Sequence, residues 1–298
     1  MAKQYQGPMR LAHRGVTQAA PENTLEAFEA AKNMGLEGIE IDVRLTRDGQ
    51  VVVVHDANLT RLTLGHPTGQ THARVADLSW EELSRVEIPY ANHLLDKELP
   101  PYSWVEEIAT LMPHRLLGQD SGRGYLEELQ REPRMARLML FQEFLAWLEK
   151  APHMTVEIEI KVPEAVLPIF RLLDASPVGR QCILFSGQSD VMQELMRAAA
   201  HQGTPKEVRL GANIRWLTPE MKEWLSANRL YEVGMNAGAA DEDIAWLQSK
   251  GIQVFSNLGD YPDWWGKICR LNVAAFKTNY AEAYTKWWHS QNDTEEQS

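Results

Sequence analysis

Short runs dominated by β-branched and other apolar residues recur along the chain, and longer stretches with helical spacing separate most of them. The pattern predicts strands at 10–14, 38–46, 51–55, 155–161, 181–186, 208–214, 231–236, 252–256 and 274–278. After the first strand, Pro21-Glu22-Asn23-Thr24 opens a helix with Leu25, Phe28, Ala31 and the stem of Lys32 on one face, closing at Gly35. The expected local role of that opening is a cap: Asn23 or Thr24 caps the helix and Pro21 stiffens its start.

Strands alternating with helices imply βαβ units and a parallel sheet, so the class is α/β. Six units in a row predict a closed, TIM-like (β/α)8 barrel, with an open doubly wound sheet as the alternative. One stretch, 57–140, breaks the rhythm with clusters of proline, arginine and glutamate and with helical pieces at 79–86, 103–111 and 125–130. It reads as a helical insertion into a single barrel domain spanning 1–290, followed by a polar, acidic tail at 291–298 expected to be disordered.

The link between 46 and 51 is too short for a parallel crossover, which takes about a dozen residues. An antiparallel hairpin is therefore expected after the second strand. A two-residue Asp48-Gly49 turn would pair residues whose numbers sum to 97, setting Asp42 opposite His55 and placing Glu40, Asp42 and His55 on one face.

Charge narrows the functional classes. Among 298 residues there are 30 Lys and Arg against 41 Asp and Glu, a net charge of −11. A broad basic surface for nucleic acid is excluded, although a local cluster can still hold one phosphate. No stretch approaches the roughly 18 apolar residues of a membrane span, and the first ten residues lack an apolar leader core, so a cytoplasmic protein is expected. Cys182 and Cys269 stand far apart and form no metal-binding pair. The ten tryptophans, including Trp264-Trp265 and Trp287-Trp288, are expected in packing.

The acids are unusually placed. Glu40 and Asp42 alternate with isoleucines in one strand, and Glu157, Glu159 and Lys161 share a face of another. Carboxylates so close repel unless a cation or a proton intervenes. Strand ends gather at the C-terminal mouth of a barrel, where Glu159 can meet Glu40 and Asp42. Three carboxylates without sulfur suit Mg²⁺ or Ca²⁺ better than Zn²⁺. H-E-x-x-H, G-x-S-x-G and G-x-x-x-x-G-K-[ST] are all missing, and Gly122-Arg123-Gly124 lacks the third glycine of a dinucleotide fingerprint.

His13-Arg14-Gly15 ends the first strand and His55 ends its own. Two imidazoles beside a cation site, with Arg14 and Lys161 as positive partners, are what phosphodiester hydrolysis needs. Singly, each has an ordinary explanation: a structural histidine, a solvated strand face, a surface ion pair. Their joint placement on three strands is what points to a site. The other histidines, at 66, 72, 93, 114, 153, 201 and 289, show no ligand spacing.

The runs HRG, PENT, IEIDVRLTRDG, VVVVHD with NLTRLT after it, and EIEIK resemble, in order and spacing, the glycerophosphodiester phosphodiesterase family. The likeness is densest over residues 10–63. It implies a TIM-like barrel, a divalent cation (Mg²⁺ or Ca²⁺), a small phosphodiester substrate, and neither nucleic-acid partner nor integral membrane segment. It further implies His13 and His55 as the acid/base pair, Glu40, Asp42 and Glu159 as metal ligands, Arg14 as a phosphate binder, and Lys161 as a phosphate or metal-water partner. Farther on the chain departs from the family pattern, with Gly187 after Leu-Phe-Ser, Val-Phe-Ser-Asn at 254–257, and Thr-Asn-Tyr-Ala at 278–281. The expected reaction is hydrolysis of a glycerophosphodiester to glycerol phosphate and an alcohol. The alternatives are a diesterase forming a cyclic phosphate, or a catalytically silent barrel that binds a phosphorylated ligand. Head group, cation and the division of labour between the histidines stay open at this stage.

Overall fold

A computed structural model describes residues 5–63, 66, 71–90, 134–236, 238–257, 260 and 262–293. Its strands are β1 (Met9–His13), β2 (Gly38–Leu45), β3 (Val51–Val53), β4 (Glu87–Pro89), β5 (Met135–Arg137), β6 (Met139–Leu140), β7 (Thr155–Ile160), β8 (Cys182–Phe185), β9 (Arg209–Ile214), β10 (Glu232–Met235), β11 (Gln253–Ser256) and β12 (Ala275–Thr278). Eight of them, β1, β2 and β7 to β12, run parallel in a ring that closes where β1 pairs with both β12 and β2. Each barrel strand falls within one or two residues of its sequence prediction. The expected (β/α)8 barrel is the fold, and the open sheet is excluded by the closing pairs.

Alternation along the strands explains where the core lies. Ile39, Ile41 and Val43 of β2, with Val156, Ile158 and Ile160 of β7, face outward into the large apolar layer beneath the helices. The facing residues of neighbouring strands point inward together: Glu40 stands level with His13 and Glu157, and Asp42 with Glu159. Leu11, Ile183, Phe255 and Ala275 form a separate apolar cluster within the ring. Helices follow the strands at Leu25–Asn33, Phe141–Leu148, Val166–Asp174, Ser189–Gln202, Pro219–Ala227, Asp241–Ser249, Pro262–Arg270 and Ala281–Asp293. The last of these is described through Asp293, and 294–298 lie outside the described residues. None of the helices among the described residues is long and apolar enough to cross a membrane.

Two local expectations are corrected. The first helix buries Ala27, Phe28 and Ala31, whereas Leu25, in its opening turn, is exposed. The hairpin has a three-residue loop, and its register pairs Val43 with Val53 and Leu45 with Val51, a sum of 96. Thr46 is the reason: its amide donates to the Gln50 carbonyl, its hydroxyl donates to Asp48, and it accepts from the Gln50 amide. Gly49 alone takes a positive φ (+77°), whereas a type I′ turn would demand it of Asp48 as well. Asp42 therefore stands opposite Val54, whose amide donates to the Asp42 carbonyl, and not opposite His55.

The 57–140 excursion is not purely helical where it is described. It holds the short helix Trp80–Leu83, capped reciprocally by Ser79 and Glu82, and the antiparallel pair β4–β5. It returns to the barrel through β6, which pairs with β3. Leu59, Leu62, Val75, Leu83 and Ile88 pack on Val52 and Val54 as a satellite core. The helical pieces expected at 103–111 and 125–130 lie outside the described residues.

Gly38 tests the closure of the barrel. A methyl group there would collide with the Thr155 carbonyl oxygen on one side and Leu11 Cδ2 on the other. Gly38→Ala is predicted to lower stability by about 1–3 kcal/mol through this overpacking, measured by denaturant unfolding.

Candidate active site

β1 delivers His13 to the barrel mouth, and the chain then turns sharply. Arg14 and Asn23 both adopt left-handed backbone, with φ of +59° and +57°, uncommon for residues other than glycine. The Asn23 amide donates to the Arg14 carbonyl (2.9 Å), clamping the two together. In this pose the Arg14 amide donates to Glu40 Oε2 (3.2 Å) and Asn23 Nδ2 donates to Asp42 Oδ2 (2.9 Å). Thr24 is the helix cap, accepting from the Ala27 amide. The Pro-Glu-Asn-Thr segment thus does more than the capping expected of it: Asn23 orients Asp42.

Glu40, Asp42 and Glu159 each offer a carboxylate oxygen within 4.8 Å of the others. Glu40 and Asp42 are fully buried and Glu159 is partly open. The Lys161 ammonium lies 2.9 Å from Asp42 Oδ1 and 2.7 Å from Glu159 Oε2, so it bridges two of the three acids. Arg14 Nε lies 3.3 Å from Asp42 Oδ2. Burial resists ionisation of Asp42, yet Lys161 and Arg14 hold its carboxyl well below the usual range. Burial and the Asp42 charge push Glu40 well above that range. The cluster therefore has room for more positive charge. All-oxygen donors on two adjacent strands, with no thiolate among them, fit a hard divalent cation.

The two imidazoles are held differently. His13 Nδ1 lies 3.0 Å from Asn279 Oδ1. Asn279 Nδ2 donates to Asp260, which fixes the amide so that its oxygen faces His13. His13 is thereby set as the Nδ1–H tautomer, with Nε2 turned toward Glu40 at 4.0 Å. Burial and the neighbouring Arg14 guanidinium push its pKa down to about 3, so the ring is neutral. His55 lies just beyond β3, its Nδ1 2.6 Å from Asp56 Oδ1. Asp56 accepts from Arg61, Arg61 grips Glu22 through both terminal nitrogens, and Glu22 accepts from Arg14. An unbroken line of hydrogen bonds and ion pairs therefore runs from His55 to Asp42. It brings His55 to the site, where hairpin pairing had been expected to do so.

All seven predicted residues, His13, Arg14, Glu40, Asp42, His55, Glu159 and Lys161, thus converge at the mouth. Sequence reasoning missed Glu22, Asn23, Arg61, Asp260 and Asn279, which hold the others in place. Glu22 and Asn23 had a visible signal, two polar residues ahead of the capping Thr24. Asn279 stood out only as part of the 278–281 departure from the family pattern, and Asp260 had no signal, because its partners Thr278 and Asn279 lie at the end of another strand.

The sequence matches the Glycerophosphoryl diester phosphodiesterase family over residues 13–282. The chain belongs to this family. It is 36% identical over 100 residues to a glycerophosphodiester phosphodiesterase of Caldanaerobacter subterraneus subsp. tengcongensis, covering 33% of this chain and 39% of that protein. It is 41% identical over 101 residues to human glycerophosphodiester phosphodiesterase 1, covering 34% of this chain and 27% of that protein. These matches span well under half the length of either relative. Among solved structures, the Thermotoga maritima glycerophosphodiester phosphodiesterase aligns over 95% of this chain and 99% of its own, at 22% identity and a TM-score of 0.64. An Oleispira antarctica phosphodiesterase, in complex with the product sn-glycerol-3-phosphate, aligns over 94% and 96%, at 17% identity and a TM-score of 0.68. These two likenesses establish the shared fold.

Glu22 is held below the ordinary carboxylate range because Arg61 and Arg14 together outweigh its burial. A depressed carboxylate stabilises the fold fully above its unfolded pKa, and that share is lost as pH falls through the folded value. Arg61→Met leaves Glu22 with one guanidinium. It should lower stability by about 3 kcal/mol at neutral pH and move the acid-unfolding midpoint to higher pH, as followed by circular dichroism.

Proposed function

We propose that this chain is a cation-dependent glycerophosphodiester phosphodiesterase, releasing glycerol phosphate and an alcohol, with its activity carried by one barrel domain against which the described parts of the 57–140 excursion pack. The observation that carries the reading is the convergence of Glu40, Asp42 and Glu159 beside two imidazoles, each with Nδ1 engaged and Nε2 left for chemistry. Glu40, Asp42 and Glu159 would hold the cation, Mg²⁺ or Ca²⁺, which when bound neutralises charge on the phosphate.

Lys161, ion-paired with Asp42 at 2.9 Å and with Glu159 at 2.7 Å, offers its ammonium charge to a phosphoryl oxygen. Arg14, tied to Glu22 and Asp42, adds positive charge from beneath. Neutral His13, with Nε2 unprotonated, takes the proton from the attacking water or hydroxyl. His55, on the other arm of the ion-pair line, protonates the departing alkoxide. Asn279 keeps His13 as the Nδ1–H tautomer, and Asp56 orients the His55 ring through Nδ1 so that the proton delivered to the alkoxide comes from Nε2 of the doubly protonated ring.

Phosphorus NMR of glycerophosphodiesters incubated with the protein and either cation tests this reading. Glycerol phosphate should form, and a chelator should stop it. Accumulation of a cyclic phosphate would replace hydrolysis with attack by the substrate's own hydroxyl. Binding without turnover of any choline, ethanolamine, inositol or glycerol diester would make the barrel a binding protein. Two variants separate the roles. His55→Ala should lose at least about 100-fold in kcat with calorimetric cation affinity retained. Glu159→Gln should lose cation affinity and activity together, and an unchanged affinity would remove Glu159 from the site.

A further inference from the structure

The cations described at the mouth are each paired with acids. Arg14 meets Glu22 and Asp42, Arg61 meets Glu22 and Asp56, and Lys161 meets Asp42 and Glu159. Arg44 is different. It lies on the Glu40 and Asp42 face of β2, one step past Val43 and Ile160, the last residues paired between β2 and β7. It therefore stands level with Lys161, in the row above the acids. One side-chain bond anchors it, from Nε to the His55 carbonyl oxygen (2.7 Å). Its two terminal nitrogens bond to no described residue, no described carboxylate lies within 4 Å of the guanidinium, and neither nitrogen is sealed from solvent. The side chain is nonetheless partly buried, and that burial pulls its pKa below the arginine norm against the opposing charges of Asp42, Asp56 and Glu159. An anchored, partly desolvated guanidinium with its outer edge open and unpaired is a ready fork for an anion.

We infer that Arg44 recognises an anion, a carboxylate or a phosphate monoester, carried on the departing alcohol of the diester. This rests on the function proposed above and narrows its substrate class. The place follows from His55: Arg44 holds its carbonyl, and its ring is the proposed proton donor to the departing alkoxide, so the fork stands on the leaving-group side. The scissile phosphate has cations of its own in Lys161 and Arg14. The nearby acids do not forbid an anion at Arg44, because Asp56 is bonded to Arg61 and His55, and Asp42 and Glu159 are both paired with Lys161. Two terminal N–H groups side by side match two oxygens of a carboxylate or phosphate, a bidentate geometry that a lone hydroxyl cannot reproduce. A choline group would meet a like charge there.

The test uses diesters that share one glycerol phosphate half: glycerophosphoglycerol, with a neutral alcohol; glycerophosphoglycerate, with a carboxylate; and glycerophosphoglycerol phosphate, with a terminal phosphate. Wild type is compared with Arg44→Gln and Arg44→Lys, and with Arg44→Met should the glutamine variant fail to fold. Wild type should favour at least one anionic diester over the neutral one in kcat/KM, and Arg44→Gln should cut that preference about ten-fold or more. Arg44→Lys keeps the charge without the fork and should recover part of it. A loss confined to glycerophosphoglycerate assigns a carboxylate, one confined to glycerophosphoglycerol phosphate assigns a phosphate, and a loss on both assigns either anion. The absence of any preference in wild type would overturn the inference. So would an equal fall on all three diesters in Arg44→Gln, which would leave Arg44 as a brace for His55. Calorimetric binding of the same diesters gives a readout independent of turnover. A wild type that binds an anionic diester but hydrolyses none would defeat the catalytic reading, while affinity for it unaltered in Arg44→Gln would defeat the anion fork.

Discussion

Closing eight parallel strands into a ring forces every second side chain inward, into a space from which water is largely excluded. In this chain the inward set from β2 and β7 is acidic, with Glu40, Asp42, Glu157 and Glu159 side by side. Such a set cannot stay ionised unless positive charge is brought to it. Much of the rest of the mouth meets that demand. Lys161 lies between Asp42 and Glu159, Arg14 reaches Asp42, Arg61 and Arg14 balance Glu22, and Lys277 lies 3.2 Å from Glu157 deeper in the ring. Glu232, with neither oxygen hydrogen-bonded to a described residue, is pushed well above the carboxylate range by burial and by Glu157. The balance remains incomplete around Glu40, and that deficit is the physical basis for the cation proposed at this place.

The same demand ties the first loop to the chemistry. Two residues other than glycine accept left-handed backbone there, Arg14 and Asn23, and each returns a hydrogen bond to an acid of β2. Strain of this kind, of order 1–3 kcal/mol per residue, persists only where the surroundings over-determine it. Here the Asn23 to Arg14 backbone bond and the capped helix beyond Thr24 do so. The loop is thus both a helix start and a wall of the active site, with one short segment serving both ends.

The hairpin shows how a local rule can mislead while its consequence survives. Asp48-Gly49 has the composition of a two-residue turn, but the Thr46 hydroxyl and the Asp48 carboxylate stabilise a three-residue loop, and the register slips by one. Such a slip would turn a residue in a regular strand to the opposite face. His55 escapes this because β3 ends at Val53, and the histidine is placed by Asp56, Arg61 and Glu22 in place of a strand partner. The pairing expected to set His55 at the mouth is one that the register does not make; the ion-paired side chains place it there instead.

The amino-acid sequence by itself determined the alternation of strands and helices, the hairpin after β2, and the acids and histidines at strand ends. These are local or periodic properties, written in spacings of two to four residues. The closing pair of β1 with β12 was implied only by the number of units. Which carboxylates come within reach of one another, how Asn279 and Asp260 set the His13 tautomer, and that Asn213 and Asn257 meet over Gly234 depend on residues brought together across the ring. Tertiary structure decided them, because electrostatic and hydrogen-bond partners in a closed barrel are chosen by strand register and not by distance along the chain.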